Sequence, residues 1–235
     1  MRIFACKVRR IIIAIDGYAA TGKSTTARGV AQALDYLHID SGAMYRAVAW
    51  YLWQQGIKTV QPEKLPEWLT AFSLHLEREG EEMVVYVGDR RLDEELRRPE
   101  ISAFASEVSA VPWVRQRLIA EQRRLGQHGG VVMDGRDIGT VVFPHAELKI
   151  FMCADIAARV QRRSQELRAR GMPADPEAIR RELLERDQRD ETRPISPLRK
   201  APDARVLDTT HLTIPQQIEK VINWAKELIY APASF

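Results

Sequence analysis

Gly17-Tyr18-Ala19-Ala20-Thr21-Gly22-Lys23-Ser24 is a complete G-x-x-x-x-G-K-S, and its setting decides the fold. An apolar run at residues 11–15 precedes it. A helical pattern follows, in which Ala27, Val30, Ala31 and Leu34 fall at i, i+3, i+4 and i+7 on one face. Glycines at both ends let the backbone curl so that successive N–H groups point at phosphate oxygens. The helix N-terminus adds its partial positive charge. Lys23 then reaches the β/γ oxygens, and the Ser24 hydroxyl ligates Mg²⁺. The competing explanation is a glycine-containing turn that happens to precede a helix, and the strand–loop–helix order argues against it. The segment predicts nucleoside triphosphate binding.

Working outward, short apolar runs at residues 11–15, 36–39, 131–133, 148–152 and 205–207 read as buried parallel strands. Helical patterns lie between them, and the last opens with Thr213 and Gln216 spaced as a capping box. Strands alternating with helices predict an α/β fold, an open sheet with helices on both faces. One stretch breaks that rhythm. From Phe72 the chain alternates, with Leu74 and Leu76 set against Ser73, His75 and Glu77; it turns near Gly80 and resumes at residues 83–87. A second turn signal follows at Gly88 and Asp89. This is a small antiparallel element inserted in the α/β chain.

The chain has 235 residues, 45% hydrophobic and 29% charged, enough for one large domain or a core with an insert, and unlike a disordered or disulfide-stapled chain. No apolar run approaches the roughly 18 to 20 residues that span a bilayer. The basic MRIFACKVRR is followed by only five apolar residues before Asp16, too few for a signal peptide. With Cys6 and Cys153 the only cysteines, a reducing, cytoplasmic setting is expected. The 35 basic residues divide into 27 Arg and 8 Lys. Such an excess reflects compositional bias, a hot habitat or sites for planar anions, and position must choose among them.

Several arginines are placed in informative segments. Asp40-Ser41-Gly42-Ala43-Met44-Tyr45-Arg46 follows the second strand and opens a helix. In a parallel sheet this segment neighbours the phosphate loop, so Arg46 is within reach of an anion there. Residues 131–137 form an apolar strand ending in Asp134, the form of a Walker-B strand whose acid holds water of the Mg²⁺ shell, with Arg136 and Asp137 over the same crevice. A helix at residues 177–193, ended by Pro194, carries Arg186, Arg189, Asp190 and Arg193 on one face. Taken alone, these four read as a solvated stripe with an Arg186–Asp190 pair. However, a preceding helix carries Arg159, Arg162, Arg163, Arg168 and Arg170, and the turn at residues 171–176 joins the two. A basic helical hairpin above a phosphate crevice is what a closing lid requires.

No N-K-x-D occurs and no aspartate begins a D-x-x-G, which excludes a guanine-nucleotide switch. Nothing resembles a basic groove lined with aromatics, as a nucleic-acid motor would need. His38, His75, His128, His145 and His211 are dispersed and read as structural. A small kinase with a second small substrate remains.

With D-S-G-A-M-Y-R at 40–46, D-G-R-D-I-G-T-V-V-F-P at 134–144 and E-R-D-x-R-D-x-x-R at 185–193, the chain resembles the cytidylate kinases, the bacterial CMP/dCMP kinases among P-loop nucleoside monophosphate kinases. The likeness covers nearly everything after residue 10. It implies a five-stranded parallel sheet with flanking helices, an inserted antiparallel nucleotide-binding element and a helical lid. The implied division is a P-loop core at 11–58 and 107–235, with a lid at about 155–193, and a CMP-binding insert at 59–106. It further implies ATP held by Gly17, Tyr18, Ala19, Ala20, Thr21, Gly22, Lys23, Ser24 and Thr25, with Arg159 and Arg163 from the lid. Lys23, Arg136 and Asp134 become the catalytic set, with Mg²⁺ on Ser24.

On the acceptor side the resemblance makes Arg46, Arg136 and Arg193 ligands of the CMP phosphate. Arg186 and Asp190 face the ribose, Ser41 supports the nucleotide, and Ser106, Arg115 and Asp137 meet the cytosine. Asp137 only accepts and so suits the 4-amino group, while Arg115 only donates and suits N3. The family usually has Pro where this chain has Tyr18. Partners implied are ATP and CMP or dCMP, with no nucleic acid, no membrane and a monomeric state. The alternatives left open are another small P-loop kinase, acting on UMP or a metabolite, and a non-catalytic ATP-binding module that grips RNA.

Overall fold

The computed structural model describes residues 9–79 and 82–230; the expected turn near Gly80, and Cys6, lie outside them. In chain order the strands are β1 (Ile12–Gly17), β2 (Leu37–Asp40), β3 (Leu74–Glu79), β4 (Glu82–Val87), β5 (Arg90–Leu92), β6 (Val131–Gly135), β7 (Leu148–Cys153) and β8 (Arg205–Asp208). The helices are α1 (Lys23–Leu34), α2 (Ser41–Gln54), α3 (Leu65–Trp68), α4 (Pro99–Val108), α5 (Pro112–Gly126), α6 (Ile156–Ala169), α7 (Pro176–Thr192) and α8 (Ile214–Ile229).

Five strands form one parallel sheet in the order β2-β6-β1-β7-β8, and β3-β4-β5 form a separate antiparallel sheet. β1 is central, and its side chains alternate between two packed layers, as the period of a strand demands. Ile13 and Ile15 pack with Ala27 and Val30 of α1 and with Val221 and Ala225 of α8. Ala14 packs on the opposite side with Met44 and Val48 of α2 and Val114 of α5. The expected parallel strands and the sheet with helices on both faces are therefore present. The Thr213–Gln216 capping box at the start of α8 is formed as the sequence implies.

The insert packs on the core through α4 against α2. Its strand alternation is blurred at His75, half-exposed because its ring stacks on Tyr86 across the β3–β4 pair at 5.1 Å. The turn at Gly88 and Asp89 lies where the sequence signals it. α4 continues to Val108, two residues past the expected end of the insert.

α6 and α7 make the expected hairpin, with a small core of Leu167, Ile179 and Leu183 closed by Ala19 of the phosphate loop. Arg170 caps the end of α6 instead of lying within it. Asp175 caps α7 by accepting from the Glu177 amide at 3.1 Å. Because β1 lies between β6 and β7, the chain leaves the sheet in opposite directions on either side of it. The crevice at the carboxyl ends of the strands follows from that reversal.

Candidate active site

Sterics at its two glycines shape the loop after β1. A Cβ on Gly17 would stand 2.0 Å from the Met152 carbonyl oxygen, so only glycine lets the chain pass β7. Gly22 caps α1 with φ at 93°, a left-handed backbone that glycine adopts without cost. Ala20 takes φ of 58°, so this turn carries some strain. Lys23 is buried, and its Nζ donates to the Tyr18 carbonyl and, at 3.5 Å, to Thr21 Oγ1.

At the end of β6, the Asp134 carboxylate is buried and doubly held. Ser24 Oγ donates to its Oδ2 at 2.6 Å, and His38 Nε2 donates to its Oδ1 at 2.9 Å. Ser41 Oγ donates to its carbonyl at 2.7 Å, tying the start of α2 to β6. Asp40 caps α2 through the Ala43 amide at 3.0 Å and holds Arg46 at 2.8 Å. Ser24 and Asp134 lie side by side as a hydroxyl and a carboxylate, the donor set of a hard cation. No group of three His, Cys, Asp or Glu suited to a metal occurs among the described residues. The pair fits Mg²⁺, which keeps most of its shell as water and phosphate oxygens.

The next segment is fixed by a residue that sequence reasoning passed over. Asp16, at the end of β1, accepts from the Ile138 and Gly139 amides, both at 2.7 Å. It thereby pins the π-helical turn Ile138–Val142 and the two residues before it. Burial pushes its carboxyl up to about 7 against the pull of those amides. Asp16 and His38 each sit inside an apolar strand run, where pattern reading sees only the neighbours. The only available signal was the anomaly of a polar residue at a core position.

Arg136 and Asp137 then meet the hairpin. Arg136 Nε donates to Asp190 Oδ2 at 2.8 Å. Arg115 is fully buried and pairs with Asp137 Oδ2, donating also to the Ser109 carbonyl at 3.0 Å. Arg193 lies 3.5 Å from Asp137 Oδ1 and donates Nε to the Ser196 carbonyl at 2.6 Å. Arg189 donates to Ser106 Oγ at 2.9 Å. The solvated stripe on α7 is thus corrected: Asp190 and Arg193 are buried, and Asp190 bonds Arg136 instead of forming the expected ion pair with Arg186. Helical spacing identified the face but not what covers it.

These elements enclose a crevice of about 510 Å³. Its wall includes Ala19, Ala20, Gly22, Lys23, Ser24 and Thr25, with Arg163 from α6. Ser41 and Arg46 of α2, Ser106 of α4 and Arg115 of α5 line it as well. Asp134, Arg136 and Asp137 at and after the end of β6, and Arg186, Asp190 and Arg193 at α7, complete the lining. Gly17, Tyr18, Thr21 and Arg159 are not on its wall. Arg159 sits behind the loop, donating Nε to the Ala19 carbonyl at 2.8 Å and pairing with Asp187 at 2.6 Å.

The crevice is short of negative charge. Burial, and then the neighbouring Arg136, hold the Lys23 ammonium well below its ordinary range. The same two causes bring Arg186 down to about 10. Arg46 Nε and Arg186 Nε are buried donors without an acceptor among the described residues. Buried and half-buried cations that repel one another and hold unused donors form a receptor for anions.

Comparison with known proteins agrees with this geometry. The sequence model of one family, cytidylate kinase, matches residues 13–227. The chain is 45% identical over 220 residues to the cytidylate kinase of Cytophaga hutchinsonii, covering 93% of this chain and 94% of that one. It is 42% identical over 224 residues to a bifunctional pantoate ligase/cytidylate kinase of Synechococcus, covering 94% of this chain and 41% of the relative. The chain therefore spans about two-fifths of the length of that two-part relative. Among solved structures, an uncharacterized protein from Eubacterium ventriosum shares the fold, with a TM-score of 0.52, 12% identity and coverage of 93% and 99%. A phosphate loop opening on an arginine-lined crevice, with a family match across most of the chain, places it in the cytidylate kinase family.

Proposed function

We propose that the chain transfers the γ-phosphoryl group of ATP to CMP or dCMP, giving ADP and CDP or dCDP, as a cytoplasmic monomer. The observation that carries this reading is the set of buried and half-buried arginines that line one crevice together with the phosphate loop, with donors left over for an anion. The attacking group is a phosphate oxygen whose second pKa is about 6, so it is ionised at neutral pH and needs no general base. The barrier is repulsion between two anions plus charge developing on the transferring group, and fixed cations lower it.

Lys23 and Arg136 are assigned to that charge, with Arg46 and Arg193 orienting the acceptor phosphate. The Ser24 hydroxyl would hold Mg²⁺, with Asp134 accepting from water of its shell, and the ion would neutralise charge on the triphosphate. Arg186 and Asp190 are assigned to the ribose. The buried Arg115–Asp137 pair supports the choice of base. Asp137 has acceptor capacity left for a 4-amino group, and Arg115 has donors left for N3 and O2. UMP would leave these groups wrongly paired, which is how large discrimination arises.

ADP release from MgATP with CMP, dCMP, UMP, AMP and GMP tests the reading. Turnover with CMP and dCMP far above UMP is expected. Equal rates with CMP and UMP would overturn the base assignment. A preference for UMP or a metabolite would support the other small P-loop kinases. Salt-sensitive RNA binding without transfer would support the RNA module.

A further inference from the structure

One side chain joins the phosphate loop to the helical hairpin. Tyr18 occupies the second position of the loop, where the resemblance expects proline, and it is half-buried. Its hydroxyl donates to Glu191 Oε1 of α7 at 2.6 Å. That bond, reinforced by burial, pushes the phenol up to about 12, so the hydroxyl remains a donor through the neutral range. The Arg159 guanidinium of α6 lies over its ring, 5.3 Å from the centroid. Phe151 of β7 packs edge-on with the ring at 5.7 Å. Arg159 in turn holds the Ala19 carbonyl and Asp187 of α7. Tyr18 therefore touches both hairpin helices and a core strand, while its carbonyl accepts from Lys23. Proline offers neither the donor nor the aromatic face, and packing alone would not call for a hydroxyl aimed at a carboxylate.

We propose that Tyr18 is a positioning residue that latches the α6–α7 hairpin to the phosphate loop. Its bond to Glu191 and its ring beneath Arg159 set how the hairpin sits over the triphosphate. The latch acts through Arg159 and the hairpin, not by touching the reacting atoms. Because a ligand favours whichever state it contacts more, a hairpin already docked on the loop raises affinity for the donor nucleotide.

Part of the expectation rests on the ATP-donor reading, so the test includes measurements that need no acceptor. Tyr18→Phe keeps the ring and deletes one hydroxyl; Glu191→Ala deletes its acceptor. Each single variant, and the pair, would be compared by amide hydrogen exchange across residues 156–192, by MgADP calorimetry, and by kcat and KM for MgATP with CMP. Each single change should speed hairpin exchange and weaken MgADP binding by up to about fivefold, the loss of one net hydrogen bond. KM for MgATP should rise by a similar factor, with kcat held within about twofold. The double variant should be no worse than either single. Glu191→Gln, which keeps an acceptor oxygen, should recover part of the loss. Unchanged exchange and MgADP affinity in folded Tyr18→Phe would overturn the proposal, as would additive effects in the double variant. A fall in kcat at constant KM would do the same. Exchange and MgADP affinity read the latch whatever monophosphate is the acceptor.

Discussion

Arg136 donates to Asp190 at 2.8 Å while standing beside Lys23 and Arg186, so it is both a structural partner and a cation of the crevice. Removing it separates the two parts. Arg136→Ala deletes the hydrogen-bonded partner of the buried Asp190 carboxylate but leaves Arg186 and Arg193 near it, a loss of about 1 to 3 kcal/mol by urea unfolding. On the proposed mechanism it also removes a cation that offsets charge on the transferring phosphoryl group, so kcat should fall by about three orders of magnitude. Arg136→Lys should recover much of the stability and little of the rate, because an ammonium lacks the fork that serves Asp190 and a phosphate together. Asp137 divides in a similar way. Asp137→Asn keeps an oxygen for the fully buried Arg115 but also presents an amide donor. The expected outcome is a folded protein whose CMP-over-UMP ratio in kcat/KM falls by at least about tenfold, the size of one good hydrogen bond to a charged group. An unchanged ratio would place base recognition on other residues.

At the scale of elements, α2 begins where β2 ends, and Asp40 makes the junction. Its carboxylate caps the helix through the Ala43 amide and pairs with Arg46. Burial alone would raise its pKa, but Arg46, His38 and the amide outweigh that and hold it at about 2, below the ordinary 3.8. A depressed carboxyl pKa stabilises the fold above the unfolded value and loses that stabilisation as pH falls toward the folded value. Urea unfolding between pH 6 and 2 should therefore show an acid limb in which Asp40 accounts for about 2 kcal/mol. Asp40→Asn, which still caps, should flatten that limb. Asp40→Ala should flatten it and lose about 1 kcal/mol more at all pH values.

This junction also shows what the chain discloses in one dimension. The strands, the phosphate loop and the Thr213–Gln216 cap were legible because each depends on neighbours within a few residues. Placing Arg46 near the loop needed only the rule that parallel strands end on one side. The covering of the α7 face was not legible, since Asp190 lies 54 positions from Arg136 and helical period says nothing of the partner. Asp16 and His38 stayed hidden because burial beside a backbone amide or a distant carboxylate leaves no periodic trace.

For the whole molecule, the arrangement of cations makes nucleotide binding and folding stability one measurable quantity. A nucleotide at about 100 times its Kd stabilises the fold by about 2.7 kcal/mol. For a chain of this size that raises Tm by about 5 to 10 °C. MgADP and CMP should each do so, and higher salt should shrink both shifts because exposed charge is screened. The effect of the two together discriminates further. Two anions in one crevice repel, which would make the joint shift smaller than the sum. The hairpin opposes this: Arg163 of α6 and Arg186 and Asp190 of α7 all line the crevice, and Leu167, Ile179 and Leu183 pack the two helices as one piece. Docking that piece for one nucleotide docks it for the other, so its ordering cost falls once. With Lys23, Arg46, Arg136 and Arg186 available to neutralise the phosphates, the hairpin term should prevail. The joint Tm shift should then exceed the sum of the single shifts, and UMP in place of CMP should remove the excess. A strictly additive or smaller shift with CMP would mean that the hairpin does not couple the two sides.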